Sequence, residues 1–204
     1  MIKSASEIRA AARESLTNNW GAAIVMFIVY MIVTSVASFI PVVGTFASLL
    51  LLPLGWGYSI AFLLNAREGK KFEVQSLFDG FKDYTRIFYT LLLQTLYTML
   101  WTLLLIVPGI IKSYAYAMTG YILKDEPELS GNAAIEKSMA MMDGHKFDLF
   151  YLHLTFIGWV ILCFLTCGLG FLWLGPYMAS STAHFYEEVK ADYAARNCEN
   201  YAKA

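Results

Sequence analysis

Two histidines in the C-terminal third are the residues closest to chemistry. His153 lies 15 residues before Gly168, and His184 lies 16 after it. In an antiparallel hairpin turning at Gly168 the two come level. Glu187 and Glu188 follow His184 at i+3 and i+4, so one of them shares its helical face. Two imidazoles and a carboxylate could bind a divalent metal or relay protons. The plainer alternative is that each histidine is a hydrogen-bonding residue at the edge of an apolar helix. A second set, Gln94, Thr98, Lys112 and Tyr114, could line a polar pathway. Lys112 could attract an anionic substrate or lipid headgroup, or simply extend its charge out of an apolar stretch. Asp125, Glu126 and Glu128 cluster around Pro127. A paired-carboxylate catalyst needs a cleft and a partner acid or base, so this knot reads as a solvated charge run. Metalloprotease, P-loop, dinucleotide and nucleophile-elbow patterns do not occur. Gly168-Leu169-Gly170 reads as a turn, because no strand precedes it. No cofactor is implied.

The elements that must hold these residues are apolar. The chain has 204 residues, 58% hydrophobic, 16% aromatic and only 15% charged, with a mean hydropathy of +0.52. Soluble domains carry roughly a quarter charged residues, so the composition predicts a polytopic membrane protein. A net charge of −1 and no Lys/Arg block argue against a nucleic-acid partner. Residues 1–19 are polar and include Glu7 and Glu14; the apolar run that follows reads as a retained helix rather than a signal peptide. Cys163 and Cys167, at i,i+4 on one helix, read as buried small hydrophobes, and Cys198 as a reduced thiol in a polar tail.

Trp20, Tyr84 and Phe147 stand 64 and 63 residues apart, and each opens a long apolar stretch broken by Pro or Gly. This near-period predicts three copies of one unit, roughly 1–70, 71–129 and 130–204, within a single membrane domain. Six apolar segments follow: 20–40, 45–64, 87–107, 110–123, 149–166 and 171–186. The expected turns are Pro41–Gly44, Pro108-Gly109 and Gly168–Gly170. Small residues after Pro53 and Pro176 suit close packing of the second and sixth segments in the bundle centre. The fourth segment is short, about 21 Å as a helix, and a five-span arrangement is the rival. Trp20, Trp56 and Trp173 suit interface anchoring, whereas Trp101 and Trp159 read as packing residues.

With six spans, fourteen of the fifteen Lys and Arg residues fall on one side, Lys112 being the exception. The positive-inside rule then puts both termini in the cytoplasm. Each hairpin has an amphipathic lead-in. Ser4 and Glu7 have capping-box spacing, followed by an apolar stripe of Ala5, Ile8, Ala12 and Leu16, with Arg9 and Arg13 on another face. Val74, Leu77, Phe78 and Phe81 form the second stripe, and Ile135, Met139 and Met142 the third. Asp79-Gly80 and Asp143-Gly144 are expected to stop the latter two helices in the left-handed conformation. Such helices either lie flat at the interface or cover the inner mouth of the bundle.

Four blocks carry a family likeness: IRAAARESLTNNWG (8–21), LLLIVPGIIKSYAYAM (103–118), KSMAMMDGHKFDLFYLHLTFIGW (137–159) and GPYMASSTAHFY (175–186). They resemble an uncharacterised bacterial integral-membrane family catalogued as domain of unknown function nine-seven-five. Its layout is similar to the membrane domain of some bacterial glycerophosphodiester phosphodiesterases. The resemblance implies an inner-membrane protein and supplies no catalytic residues. His153 departs from the family's usual residue in its block, which counts against a family-wide role.

The expected fold is an all-α polytopic bundle of about six transmembrane helices in three hairpins, each preceded by an amphipathic interfacial helix. The expected function is a non-catalytic membrane-organising or accessory protein. A carrier for a small molecule or lipid is the first alternative, and a lipid-acting membrane enzyme the second. Membrane lipids are the expected partners. A homo-oligomer or another membrane-protein partner is also open.

Overall fold

The computed structural model describes residues 2–38, 49–166 and 168–203. The expected Pro41–Gly44 turn and Cys167 lie outside them. The described residues are helical, with no strand among them. The helices are α1 (Ala5–Leu16), α2 (Trp20–Ser38), α3 (Leu52–Glu68), a 3-10 helix (Val74–Phe81), α4 (Tyr84–Leu104), α5 (Ile106–Ala115), α6 (Thr119–Asp125), α7 (Asn132–Met141), α8 (Lys146–Leu154), α9 (Ile157–Leu165) and α10 (Phe171–Lys203).

Local chemistry accounts for several ends. Ser4 caps α1 through the expected capping box: its hydroxyl accepts from the Glu7 amide, and its own amide donates to Glu7 Oε2 at 2.8 Å. Gly69 ends α3 in the left-handed region (φ 64°), and Gly144, two residues past the Met142 cap of α7, also takes it (φ 86°). Gly80 does not. It is needed for a close approach instead: a Cβ there would sit 2.2 Å from the Pro53 carbonyl oxygen.

Among the described residues, two helical stretches are long and apolar enough to cross a membrane, α4 and the run Lys146–Leu165. A third qualifies only if α1 and α2, bent by 96°, count as one broken span. The expected fourth segment, 110–123, is not one helix. It is split between α5 and α6 by a turn at 116–118. The second hairpin also turns earlier than expected. Leu105 is extended (φ −157°, ψ 131°), and Pro108 lies in the first turn of α5. Proline is tolerated there because its missing N–H has no intrahelical acceptor anyway. Gly109 then lets α5 close on α4: its Cβ would meet the Thr102 hydroxyl at 2.4 Å.

The core lies between α3, α10 and α1. Leu54, Phe62 and Leu63 of α3 are fully buried, as are Phe185 and Val189 of α10. Trp56 is buried too, and its indole N–H donates to the Gly120 carbonyl at 2.7 Å. It is therefore a packing residue, not an interface anchor. Trp159 shows the reverse: it is 55% exposed on the outer face.

The apolar stripe of the first lead-in faces protein. Ile8, Ala12 and Leu16 are buried, and α1 packs along α10. The Tyr177 hydroxyl donates to the Arg9 carbonyl at 3.2 Å, and Ser15 meets Ser180 at 3.2 Å. Arg9 reaches the carbonyl of Thr155, midway along Lys146–Leu165. The stripe of α1 thus seals against protein. The second lead-in differs, because only Leu77 of its four apolar residues is buried.

Candidate functional site

The residues proposed as metal ligands are each engaged elsewhere. His153 Nδ1 lies 3.4 Å from the Tyr114 hydroxyl, and His184 Nε2 lies 3.2 Å from Ser15 Oγ. Glu187 accepts from Arg67, and Glu188 pairs with Lys3 at 2.7 Å. Among the described residues no three His, Cys, Asp or Glu side chains are gathered to hold a metal. Counting from Gly168 gives a residue's height along a hairpin but not its direction around the helix axis. That direction sends the two imidazoles to different neighbours.

The four pathway candidates also separate. Gln94 lines a cavity of about 270 Å³ with Trp56, Ser59 and Tyr121, and its side-chain oxygen is buried without a partner. Thr98 turns its hydroxyl back onto the Gln94 carbonyl at 2.9 Å. Lys112 Nζ sits over Trp101 and Tyr116, 5.2 and 5.9 Å from the ring centres, and 3.7 Å from Met139 Sδ. Its neighbour Met139 belongs to α7, in the third lead-in. Tyr114 packs edge-on against Phe150, with ring centres 5.9 Å apart.

The acidic knot is where the structure departs most from the sequence reading. The Asp125 side chain is only 9% exposed. It accepts from Arg67 at 2.9 and 3.0 Å, from the Tyr186 hydroxyl at 2.7 Å and from Lys190 at 2.5 Å. Arg67 also donates to Glu187 at 2.6 Å. Burial alone would raise the Asp125 pKa, but the hydrogen bonds from Arg67, Lys190 and Tyr186 prevail and hold it at about 2. The bonds to Asp125, and secondarily to Glu187, push Arg67 upward against its own desolvation. Two carboxylates face two cations, so the cluster has no unbalanced charge to offer a ligand. It is a brace joining α3, α6 and α10.

A different feature is unbalanced. A pocket of about 400 Å³ opens between α1, α2, α9 and α10. Its walls include Trp20, Trp159, Leu162, Trp173 and Tyr177, and Arg9 and Arg13 also line it. Volume and apolar lining fall within the range of small-molecule sites, about 300–1,000 Å³. In sequence the only sign of it is the i,i+4 spacing of the two arginines, because its walls come from both ends of the chain.

The family model described as Protein of unknown function (DUF975) matches residues 1–112 and 103–193. The chain belongs to this family. The matched residues of this DUF975 protein contain the whole pocket and the whole Asp125 brace. No curated protein and no solved structure matches the chain. The layout likeness to glycerophosphodiester phosphodiesterases therefore finds no match to rest on.

Proposed function

We propose that this protein is a non-catalytic, multi-pass membrane protein with a membrane-organising or accessory role, its termini in the cytoplasm of a bacterial cell and its helices in the inner membrane. The observation that carries this reading is the apolar exterior. Leu103, Leu104, Ile106 and Val107 at the α4–α5 tip are exposed, as are Phe164, Leu165 and Leu169 at the α9–α10 tip. An exposed apolar surface of this extent on a water-facing protein would drive aggregation, whereas hydrocarbon solvates it. The dispersal of His153, His184, Glu187 and Glu188 to separate partners argues against a lipid-acting enzyme. The charge distribution favours repeated hairpins with their charged ends on the cytoplasmic side, among which two described stretches are long and apolar enough to span, or three if the bent α1–α2 pair counts as one. Membrane lipids are the partners this surface would meet, and a second copy or another membrane protein could share it.

A carrier-like protein is the second reading, favoured by the pocket under Arg9 and Arg13 and the separate cavity beside Gln94. Topology tests the first. In a Cys163→Ala, Cys167→Ala, Cys198→Ser background, Glu128→Cys should react with a membrane-impermeant maleimide only after permeabilisation. Labelling in intact cells would defeat the arrangement.

A further inference from the structure

The five arginines of this chain divide into two kinds. Arg67, Arg86 and Arg196 each pair with a carboxylate, from Asp125, Asp83 and Asp192. Among the described residues Arg9 and Arg13 have no such pair. Arg9 donates Nη1 to the Thr155 carbonyl at 3.3 Å and lies 5.7 Å from the Phe156 ring centre, while its Nε is buried with no hydrogen-bond acceptor. Arg9 is half-buried, and a buried guanidinium N–H with no acceptor is poorly compensated. Both arginines line one pocket, and its other walls are mostly apolar.

The pocket has the shape of an amphiphile site. Arg9 meets α9 at its foot, beside Thr155, and the pocket lining continues to Thr166 and Gly170 at the hairpin tip. Eleven residues of helix separate those ends, about 16 Å. Trp159 and Trp173 are each 55% exposed at the pocket's outer face, so it opens sideways toward the apolar exterior rather than into the core. A ligand entering from the side must be soluble in hydrocarbon along most of its length. At the arginine end it must carry an anion with several oxygens, because guanidinium forks match phosphate geometry.

We propose that this pocket holds one anionic phospholipid, its phosphate headgroup on Arg9 and Arg13 and an acyl chain along Trp20, Trp159 and Trp173. The assignment rests on the membrane-embedded reading above. It deepens that reading by naming the lipid class and the residues that select it.

The test uses the full chain purified in detergent, incubated with mixed micelles containing equal phosphatidylglycerol and phosphatidylcholine, and examined by native mass spectrometry. One phosphatidylglycerol should be retained per chain, preferred about tenfold, as expected of charge-assisted hydrogen bonds to guanidinium groups. Arg13→Gln removes the charge of an exposed residue with no ion pair among the described residues and should reduce the preference several-fold. Leu162→Trp should fill the pocket and exclude both lipids while the arginines remain. Equal retention of the two lipids by the unaltered chain would overturn the proposal. So would unchanged selectivity in Arg13→Gln, or unchanged retention in Leu162→Trp. Inorganic phosphate competing as well as phosphatidylglycerol would overturn the lipid assignment specifically. Partition of the chain into detergent-free buffer would defeat the membrane reading itself; firm membrane association without lipid selectivity would defeat only the pocket.

Discussion

Arg67 and Asp125 meet through two parallel hydrogen bonds, Nη1 to Oδ1 at 2.9 Å and Nη2 to Oδ2 at 3.0 Å. The pair ties the end of α3 to the end of α6. Tyr186, Glu187 and Lys190 extend the tie to α10. Three elements distant in the chain are thereby held at one point, where the apolar segments give way to charge.

Removing one member should leave the others uncompensated. Asp125→Ala is expected to lower stability by about 3 kcal/mol, since a largely buried ion pair loses one partner. Arg67→Lys should lose about 1–2 kcal/mol, because an ammonium cannot make the two-pronged contact. Thermal unfolding in detergent measures both. A loss for Asp125→Ala no larger than that of an exposed carboxylate such as Glu128→Ala would refute the brace.

The same pair sets an acid limit. The folded Asp125 carboxyl, at about 2, lies below its ordinary value of 3.8. Its stabilising contribution, of order 2 kcal/mol, is therefore complete above pH about 4 and lost as pH falls toward 2. Melting temperature should decline through that window, and Asp125→Asn should remove this component of the decline while lowering stability at neutral pH.

Backbone proximity yields a sharper mutational contrast. A Cβ on Gly57 would lie 2.3 Å from the Leu77 carbonyl oxygen, and one on Gly80 2.2 Å from that of Pro53. Backbone atoms cannot swing aside, so Gly57→Ala and Gly80→Ala should each cost about 2–3 kcal/mol. Gly21 and Gly158 have nothing within 4 Å of such an atom. Alanine there should be neutral or stabilising by up to about 1 kcal/mol. Similar melting temperatures for all four variants would refute the close crossing of α3 and the 3-10 helix.

Arg196 secures the far end of α10. It donates to the carbonyls of Met141 and Asp143, both at 3.2 Å, and pairs with Asp192 at 2.9 Å. Asp192 also lies 3.0 Å from His145. Arg196→Ala should free the C-terminal turns of α10 and speed proteolysis there, at a global cost of only about 1 kcal/mol. Limited digestion followed by mass analysis would locate the cut. Protection equal to that of the unaltered chain would argue against the dock.

Several features were legible because they depend on near neighbours. The Ser4–Glu7 box joins residues three apart, and Gly144 takes the left-handed turn after α7 with its own backbone freedom. The helical class followed from apolar segments punctuated by Pro and Gly. Pro108 shows how far this reaches. The residue type announced a break nearby, but the same proline suits a helix start as well as a turn, and the chain turns at Leu105.

The sequence by itself determined that this chain is helical, largely apolar and charged at the ends of its segments, because those properties are sums over local residues. It could not determine which charges are neutralised. The partners of Asp125 lie 58, 61 and 65 residues away, so a residue that looks solvated in the chain is enclosed in the fold. Arg9 and Arg13 present the converse, with Glu7 and Glu14 near them in sequence yet no carboxylate pair among the described residues. Electrostatic and desolvation energies depend on distance and burial in three dimensions. Only the packing of α1 against α8 and α10 decided that two ordinary arginines would line a mostly apolar pocket.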